Sequence, residues 1–149
     1  MADLLECVIQ IKGVADTPRR LGLRLREARE RTGGGAEADA RCDAVACRMA
    51  DAELVFQDCL SRMLGEERAP LPPLPDSRAV VAPSRSAAEA QALFAGRRAD
   101  TVRRLDGLSA AQLNRVGVEP SRGPMIVADL VALMLAHDTE SLGDLMALG

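Results

Sequence analysis

The stretch Leu130-Val-Ala-Leu-Met-Leu-Ala-His137-Asp138-Thr-Glu-Ser141-Leu142-Gly-Asp144-Leu145 contains the only histidine of the chain. Counting by threes and fours from Leu130 collects on one helical face the residues Met134, His137, Ser141, Leu145 and Leu148. Because most of this face is apolar, the pattern predicts a helix that turns His137 toward a core. A lone histidine on such a face is more often a hydrogen-bonded core residue than a ligand or a base, and both interpretations stay open.

The composition favours an all-α fold. The chain has 149 residues, of which 48% are hydrophobic and only 1% aromatic, namely Phe56 and Phe94. A core of Leu, Ala, Val and Met suits closely packed helices, whereas β-branched and aromatic residues are too scarce for a large sheet. The length is that of one domain, which we place at 1–149.

The charge and hydropathy patterns argue against two classes of partner, nucleic acids and membranes. The net charge is -3, acids and bases are interspersed, and no basic patch or set of stacking aromatics suggests nucleic acid. No apolar run approaches the roughly 18 residues of a membrane span, and the start of the chain does not resemble a signal peptide. We therefore expect no membrane partner and a cytoplasmic location.

The four cysteines do not form a recognisable metal motif. Their positions are Cys7, Cys42, Cys47 and Cys59, and this spacing matches neither a CxxC pair nor a zinc finger. In a cytoplasmic chain we expect free thiols, most of them in the core.

Periodicity and capping residues predict four main helices. The first covers 2–31 with an interruption at Asp16, after which Thr17 is expected to cap, and Pro18 to begin, a new helix. The second covers 39–64, with Arg48 among its apolar positions. The third begins at the box Ser86-Ala-Ala-Glu89 and ends near 105, with a stripe formed by Ala90, Leu93, Phe94, Arg97, Thr101 and Leu105.

The remaining segments complete the predicted bundle. A second capping box, Ser109-Ala-Ala-Gln112, opens a short helix, 117–124 is expected to be a loop, and the last helix covers 125–148. The proline-rich stretch 65–85 connects helices 2 and 3. Four main helices with one long crossover indicate a four-helix bundle with almost no strand.

Four stretches match a known pattern: Cys47-Arg48-Met-Ala-Asp51-Ala-Glu53, Phe94-Ala-Gly-Arg97-Arg-Ala-Asp-Thr101, Gly117-Val-Glu119-Pro-x-x-Gly123-Pro-Met-Ile-Val-Ala-Asp129, and His137-Asp138-x-x-Ser141-Leu142. They resemble the His-Leu-Ala-Asp-x-Glu helix, the third helix, the Gly-x-His-Pro-x-x-Gly loop and the His-Asp-x-x-His-Leu signature of the DinB-like superfamily. That superfamily comprises metal-dependent four-helix bundles and includes thiol-dependent transferases and isomerases. The resemblance covers most of 40–149.

The resemblance implies a metal site that this chain has altered. The family binds a divalent metal through three histidines, one on the second helix and two, at i and i+4, on the last. The corresponding residues are Arg48, His137 and Ser141, and the family's loop histidine is Glu119. One imidazole and one hydroxyl are a poor ligand set for zinc or nickel, so we expect neither a metal nor another cofactor.

Arg48 puts a fixed positive charge where the resemblance places a metal ligand. It could pair with one of the acids Asp138, Glu140 and Asp144, or with Ser141 and a neutral His137. It could also bind a small anionic ligand. The corresponding binding residues are Arg48, Ser141 and Asp138.

Three functions follow from these residues. The first is a metal-free binding or interaction protein, which could be a homodimer, without the family's transferase reaction. The second is a metal-independent enzyme with His137 as general acid or base and Arg48 holding an anionic group. The third is a conventional thiol-dependent transferase of the mycothiol or bacillithiol type, against which the scarcity of histidine argues.

Overall fold

Four long helices form a bundle in the computed structural model, which describes residues 1–148. They and one short helix are α1 (Leu4–Thr32), α2 (Ala36–Gly65), α3 (Ala87–Asp106), α4 (Ala110–Leu113) and α5 (Val127–Met146). The long helices are neighbours in the order α1–α3–α2–α5, so that α3 and α5 face each other diagonally across the bundle. The predicted all-α four-helix bundle is confirmed.

The first helix is continuous, so the interruption predicted at Asp16 is wrong. Pro18 lies inside α1, and its missing N–H leaves the carbonyl of Val14 without a helical partner. Nη1 of Arg98 donates to that carbonyl at 2.9 Å, which satisfies it. Thr17 does not cap a helix, because its hydroxyl donates to Oδ2 of Asp138 at 2.6 Å in the bundle interior.

A small three-stranded sheet replaces the loop predicted at 117–124 and the predicted start of the last helix. Strands β2 (Val116–Glu119) and β3 (Gly123–Ile126) are antiparallel, and β1 (Ala69–Pro70) pairs with β2 in parallel. A Cβ on Gly117 would lie 2.7 Å from Leu71 and 2.8 Å from Met63. Glycine therefore lets β2 approach the connection and α2 closely.

Side-chain caps begin three helices. Asp3 accepts from the amide of Glu6 at the start of α1, and Ser86 caps α3. Ser109 and Gln112 form the predicted capping box at α4. Because the caps lie in the local sequence, they could be identified without tertiary information.

The connection between α2 and α3 (66–86) forms hydrogen bonds with the rest of the fold near both of its ends. Near its start, Leu71 donates its amide to the carbonyl of Val118 at 2.9 Å. Near its end, the Cys47 thiol donates to the carbonyl of Arg85 at 3.4 Å. In between, Ser77 hydrogen-bonds Glu140 of α5, so the connection crosses α5 on its way from α2 to α3.

All four cysteines are buried free thiols, as predicted. None of the helices among residues 1–148 combines the length and the apolarity that crossing a membrane requires.

Candidate functional site

Arg98, a buried arginine that the sequence pattern did not single out, forms hydrogen bonds from α3 to each of the other three long helices. The guanidinium of Arg98, on α3, makes five hydrogen bonds, two to Glu53 of α2, two to Asp138 of α5 and one to the carbonyl of Val14 on α1. The distances lie between 2.7 and 2.9 Å, and a guanidinium has five N–H groups to donate. Arg98 is therefore fully satisfied although its side chain is only 1% exposed.

Opposite charges hold Arg98 in its ionised form. Burial alone would lower its pKa, but hydrogen bonds and charges of Asp138 and Glu53 raise it above the ordinary value. The guanidinium carbon also lies 4.7 Å from the centre of the Phe94 ring, a cation–π distance. We call Arg98, Glu53 and Asp138 the central ion cluster.

Asp138, one of the three acids that the sequence offered for Arg48, belongs to this cluster. Its two carboxylate oxygens accept from Arg98 and from Thr17. Consecutive residues on a helix point in different directions, so Asp138 faces the bundle axis while its neighbour His137 faces α2.

Arg48 pairs with Asp144, one of the three acids that the sequence offered. Its Nη2 donates to Oδ2 of Asp144 at 2.7 Å. The arginine side chain is 11% exposed and that of Asp144 is 54% exposed. The pair therefore lies at the edge of the bundle, where the guanidinium stem is buried and the acid reaches solvent. Glu140, the third candidate acid, contacts Ser77 instead.

Three buried polar atoms lie unpartnered where α2 faces α5. They are Nε of Arg48, Nε2 of His137 and Oγ of Ser141. His137 and Ser141 are one helical turn apart on α5, and Asp144 brings the guanidinium of Arg48 to the next turn. An unpartnered buried polar atom costs about 1–3 kcal/mol. We call Arg48, His137 and Ser141 the polar site.

His137 is held neutral by its surroundings. Burial lowers its pKa, the charge of Asp138 raises it, and the charges of Arg48 and Arg98 lower it again. Phe56 meets the imidazole edge to face, with 5.7 Å between the ring centres and 81° between the planes. His137 is 6% exposed, so it lies deep within the bundle wall.

Arg48 and His137 open onto different spaces. A surface cleft of about 370 Å³ runs past Arg48 and is bounded by α2, the end of α5 and the connection. A separate cavity of about 90 Å³ touches His137 and Glu140. Ser141 is fully buried and lines neither of them.

Glu119, which the resemblance aligns with the family's loop histidine, stabilises its own turn. It accepts from the amides of Ser121 and Arg122 at 3.1 and 2.7 Å. Burial would raise its pKa, but hydrogen bonds from the Ser121 hydroxyl and from these amides lower it overall. Glu119 therefore contributes to the hairpin and not to the polar site.

The sequence model of the DinB superfamily matches residues 42–144, a range that includes Arg48, His137 and Ser141. The chain belongs to the DinB superfamily.

A solved four-helix bundle has the same fold as this chain. YfiT from Bacillus subtilis, described as a probable metal-dependent hydrolase with an unusual four-helix bundle topology, aligns with a TM-score of 0.77. The alignment covers 99% of this chain and 88% of YfiT at 13% identity, so it establishes the fold alone. No curated protein matches the chain.

The family's divalent metal does not fit the residues that this DinB member presents. A guanidinium has no lone pair to give to a metal. His137 and Ser141 alone fall short of the three protein ligands that a catalytic zinc site uses. Among residues 1–148, no group of three or more His, Cys, Asp or Glu side chains could hold a metal ion.

Proposed function

We propose that this DinB member is a metal-free binding protein and that its ligand is a small anion held at Arg48. The observation that carries the proposal is the position of this guanidinium. The resemblance aligns Arg48 with a metal ligand of the family, its side chain is 11% exposed, and the acid that it contacts, Asp144, is 54% exposed. A fixed cation there supplies positive charge without a metal.

The unpartnered Nε of Arg48 suits an anion. It can donate a hydrogen bond and has no partner among residues 1–148. Ser141 and His137 lie outside the cleft that Arg48 lines, so the anion is held by the arginine and not by them. Hydrogen bonds between charged donors and acceptors are about twice as strong as neutral ones, which favours an anionic ligand over a neutral one.

The burial of His137 makes the enzymatic alternative weaker. A general acid or base has to reach the substrate directly or through one water. His137 is 6% exposed and lines a cavity of about 90 Å³, well below the roughly 300 Å³ at which ligand pockets begin. A thiol-dependent transferase would in addition need a metal or another cation to activate the thiol.

Anion binding can be tested directly by isothermal titration calorimetry with inorganic phosphate and with acetate. We expect binding that Arg48→Met abolishes. Arg24→Met is the matched control, because Nε of Arg24 is also buried and unpartnered but the side chain pairs with Glu27 along α1. The absence of any anion binding, or equal losses in the two variants, would contradict the proposal.

We also propose that two copies associate through the first turns of α1. Four apolar side chains there are about half exposed or more: Leu4 50%, Leu5 71%, Val8 49% and Ile9 61%. Glu6 and Lys12, both exposed, lie three residues either side of Ile9. An antiparallel pair of α1 helices about a two-fold axis near Ile9 would therefore set Glu6 opposite Lys12 of the second copy.

Light scattering after size exclusion tests the homodimer. The wild type should have the mass of a dimer and Ile9→Glu that of a monomer. Leu54→Glu is the control, since Leu54 is a similarly exposed leucine on α2 at 48%. A monomeric wild type would exclude the homodimer and leave the anion site unaffected.

A further inference from the structure

The cleft beside Arg48 carries more positive than negative charge. Arg41, Arg48 and Arg78 all line it, and among residues 1–148 Asp144 is the only acid that does. Within residues 1–148, neither Arg41 nor Arg78 forms a salt bridge. The guanidinium charges of Arg41 and Arg78 therefore face the cleft without a paired acid. That of Arg48 is paired with Asp144, whose side chain is 54% exposed.

The same cleft has an apolar wall. Its apolar lining comes from α2, from the connection and from the end of the chain, and includes Val45, Val80, Val81 and Leu148. Val80 is 100% exposed, although a large apolar side chain gains by leaving water. The volume of about 370 Å³ lies within the roughly 300–1,000 Å³ of small-molecule sites.

We propose that this cleft binds an organic phosphate monoester, with the phosphate on the three arginines and an apolar substituent against the valines. This inference rests on the proposed anion-binding function and specifies its ligand class. A phosphate monoester carries a charge of about −1.5 to −2 at neutral pH and three acceptor oxygens. A carboxylate has one charge and leaves more of the guanidinium charge unbalanced.

The geometry assigns separate tasks to the arginines. Arg48 is the fixed contact, because its stem is buried and Asp144 orients its guanidinium. Arg41 on α2 and Arg78 on the connection are exposed and can close on the phosphate from two sides. Guanidinium groups bind phosphate oxygens in pairs, which gives direction as well as strength.

Asp144 competes with the ligand for Arg48. Its carboxylate already accepts from Nη2 of Arg48, so a phosphate has to share that guanidinium or displace the acid. Asp144→Asn removes the competing charge and leaves a side chain of similar size. We therefore expect this variant to bind phosphate monoesters more tightly than the wild type.

The test is calorimetric titration of the purified chain with hexyl phosphate, inorganic phosphate, hexanoate and hexanol. We expect hexyl phosphate to bind at least about tenfold more tightly than either phosphate or hexanoate, and hexanol not to bind. Arg41→Gln and Arg78→Gln should each weaken hexyl phosphate about three- to tenfold, and Arg48→Met by more. Arg24→Met should leave the affinity unchanged, and Asp144→Asn should raise it.

Failure of the inference is distinguishable from failure of the proposed function. If phosphate and hexanoate bind through Arg48 but hexyl phosphate gains nothing, the ligand class is wrong and the anion site stands. If Arg41→Gln and Arg78→Gln each bind hexyl phosphate as tightly as the wild type does, the cleft is not the binding site. If no anion binds, both proposals fail. Circular dichroism of each variant confirms that a lost affinity is not a lost fold.

Discussion

Arg98 and Asp138 lie on helices that face each other diagonally, yet two hydrogen bonds of 2.7 and 2.9 Å join their side chains through the bundle interior. Both side chains are 1% exposed. A charge pair this deep is not required for stability as such, because apolar residues of similar volume can replace it. Removing one member alone is different, because it leaves the other charges buried without compensation.

We therefore predict that Arg98→Ala destabilises the chain by about 3–5 kcal/mol, since Glu53 and Asp138 would stay buried without their cation. Urea unfolding followed by circular dichroism measures this loss. Arg103→Ala is the control, because Arg103 is exposed and pairs only with Asp100 one turn away. A loss in Arg98→Ala no larger than in the control would mean that the cluster is not closed to water.

Arg48→Ala should cost much less than Arg98→Ala, although both arginines pair with an acid. The partner of Arg48 is 54% exposed, so water can solvate Asp144 once the guanidinium is gone. Exposed ion pairs contribute about 0–1 kcal/mol, and we expect a loss in that range for Arg48→Met, which removes the ion pair but keeps the packing of the buried stem. A loss of several kcal/mol in urea unfolding would show that Asp144 is closed off in solution.

His137 should titrate below its ordinary pKa of 6.5. As the only histidine, it gives a single imidazole signal that NMR can follow against pH. Between the folded pKa and 6.5 the unfolded chain binds more protons than the folded one, so stability increases with pH across that window. His137→Gln should lose this part of the pH dependence. A folded pKa at or above 6.5 would contradict the burial described here.

The thiols should be unreactive in the folded chain. All four are buried. Burial raises the pKa of Cys59 to about 11, and burial also raises the pKa of Cys7 and Cys42. Since the thiolate is the reactive form, titration with a thiol reagent should label none of them rapidly before denaturation and all of them after it. Rapid labelling of Cys59 in the native chain would refute this.

The sequence predicted the inward face of α5 correctly. Leu130, Met134, His137, Ser141 and Leu145 are all buried, because regular 3.6-residue spacing determines which side chains share a face. Capping chemistry also placed the start of α3 at Ser86. Both signals are local, so they do not depend on how the helices pack.

The parts that were missed depend on tertiary contacts. The stripe predicted on α3 included Arg97, which donates to the carbonyl of Ala50 at 2.7 Å, but the buried arginine is its neighbour Arg98. One available signal was the spacing of four between Phe94 and Arg98. Pro18 indicated a helix break because proline lacks the N–H group that a helical hydrogen bond needs. The carbonyl of Val14 is instead satisfied by Arg98, which is 84 residues away in the sequence. The hairpin of β2 and β3 was not predicted because the glycines and prolines of its sequence favour a loop.

The most direct test of the metal-free account is elemental analysis of the purified chain after incubation with Zn²⁺ or Ni²⁺ and desalting. The account predicts far less than about one metal per chain for the wild type, because Arg48 and Ser141 leave His137 without partner ligands. It predicts about one metal per chain for the double variant Arg48→His and Ser141→His. About one metal per wild-type chain, lost on His137→Ala, would contradict the account.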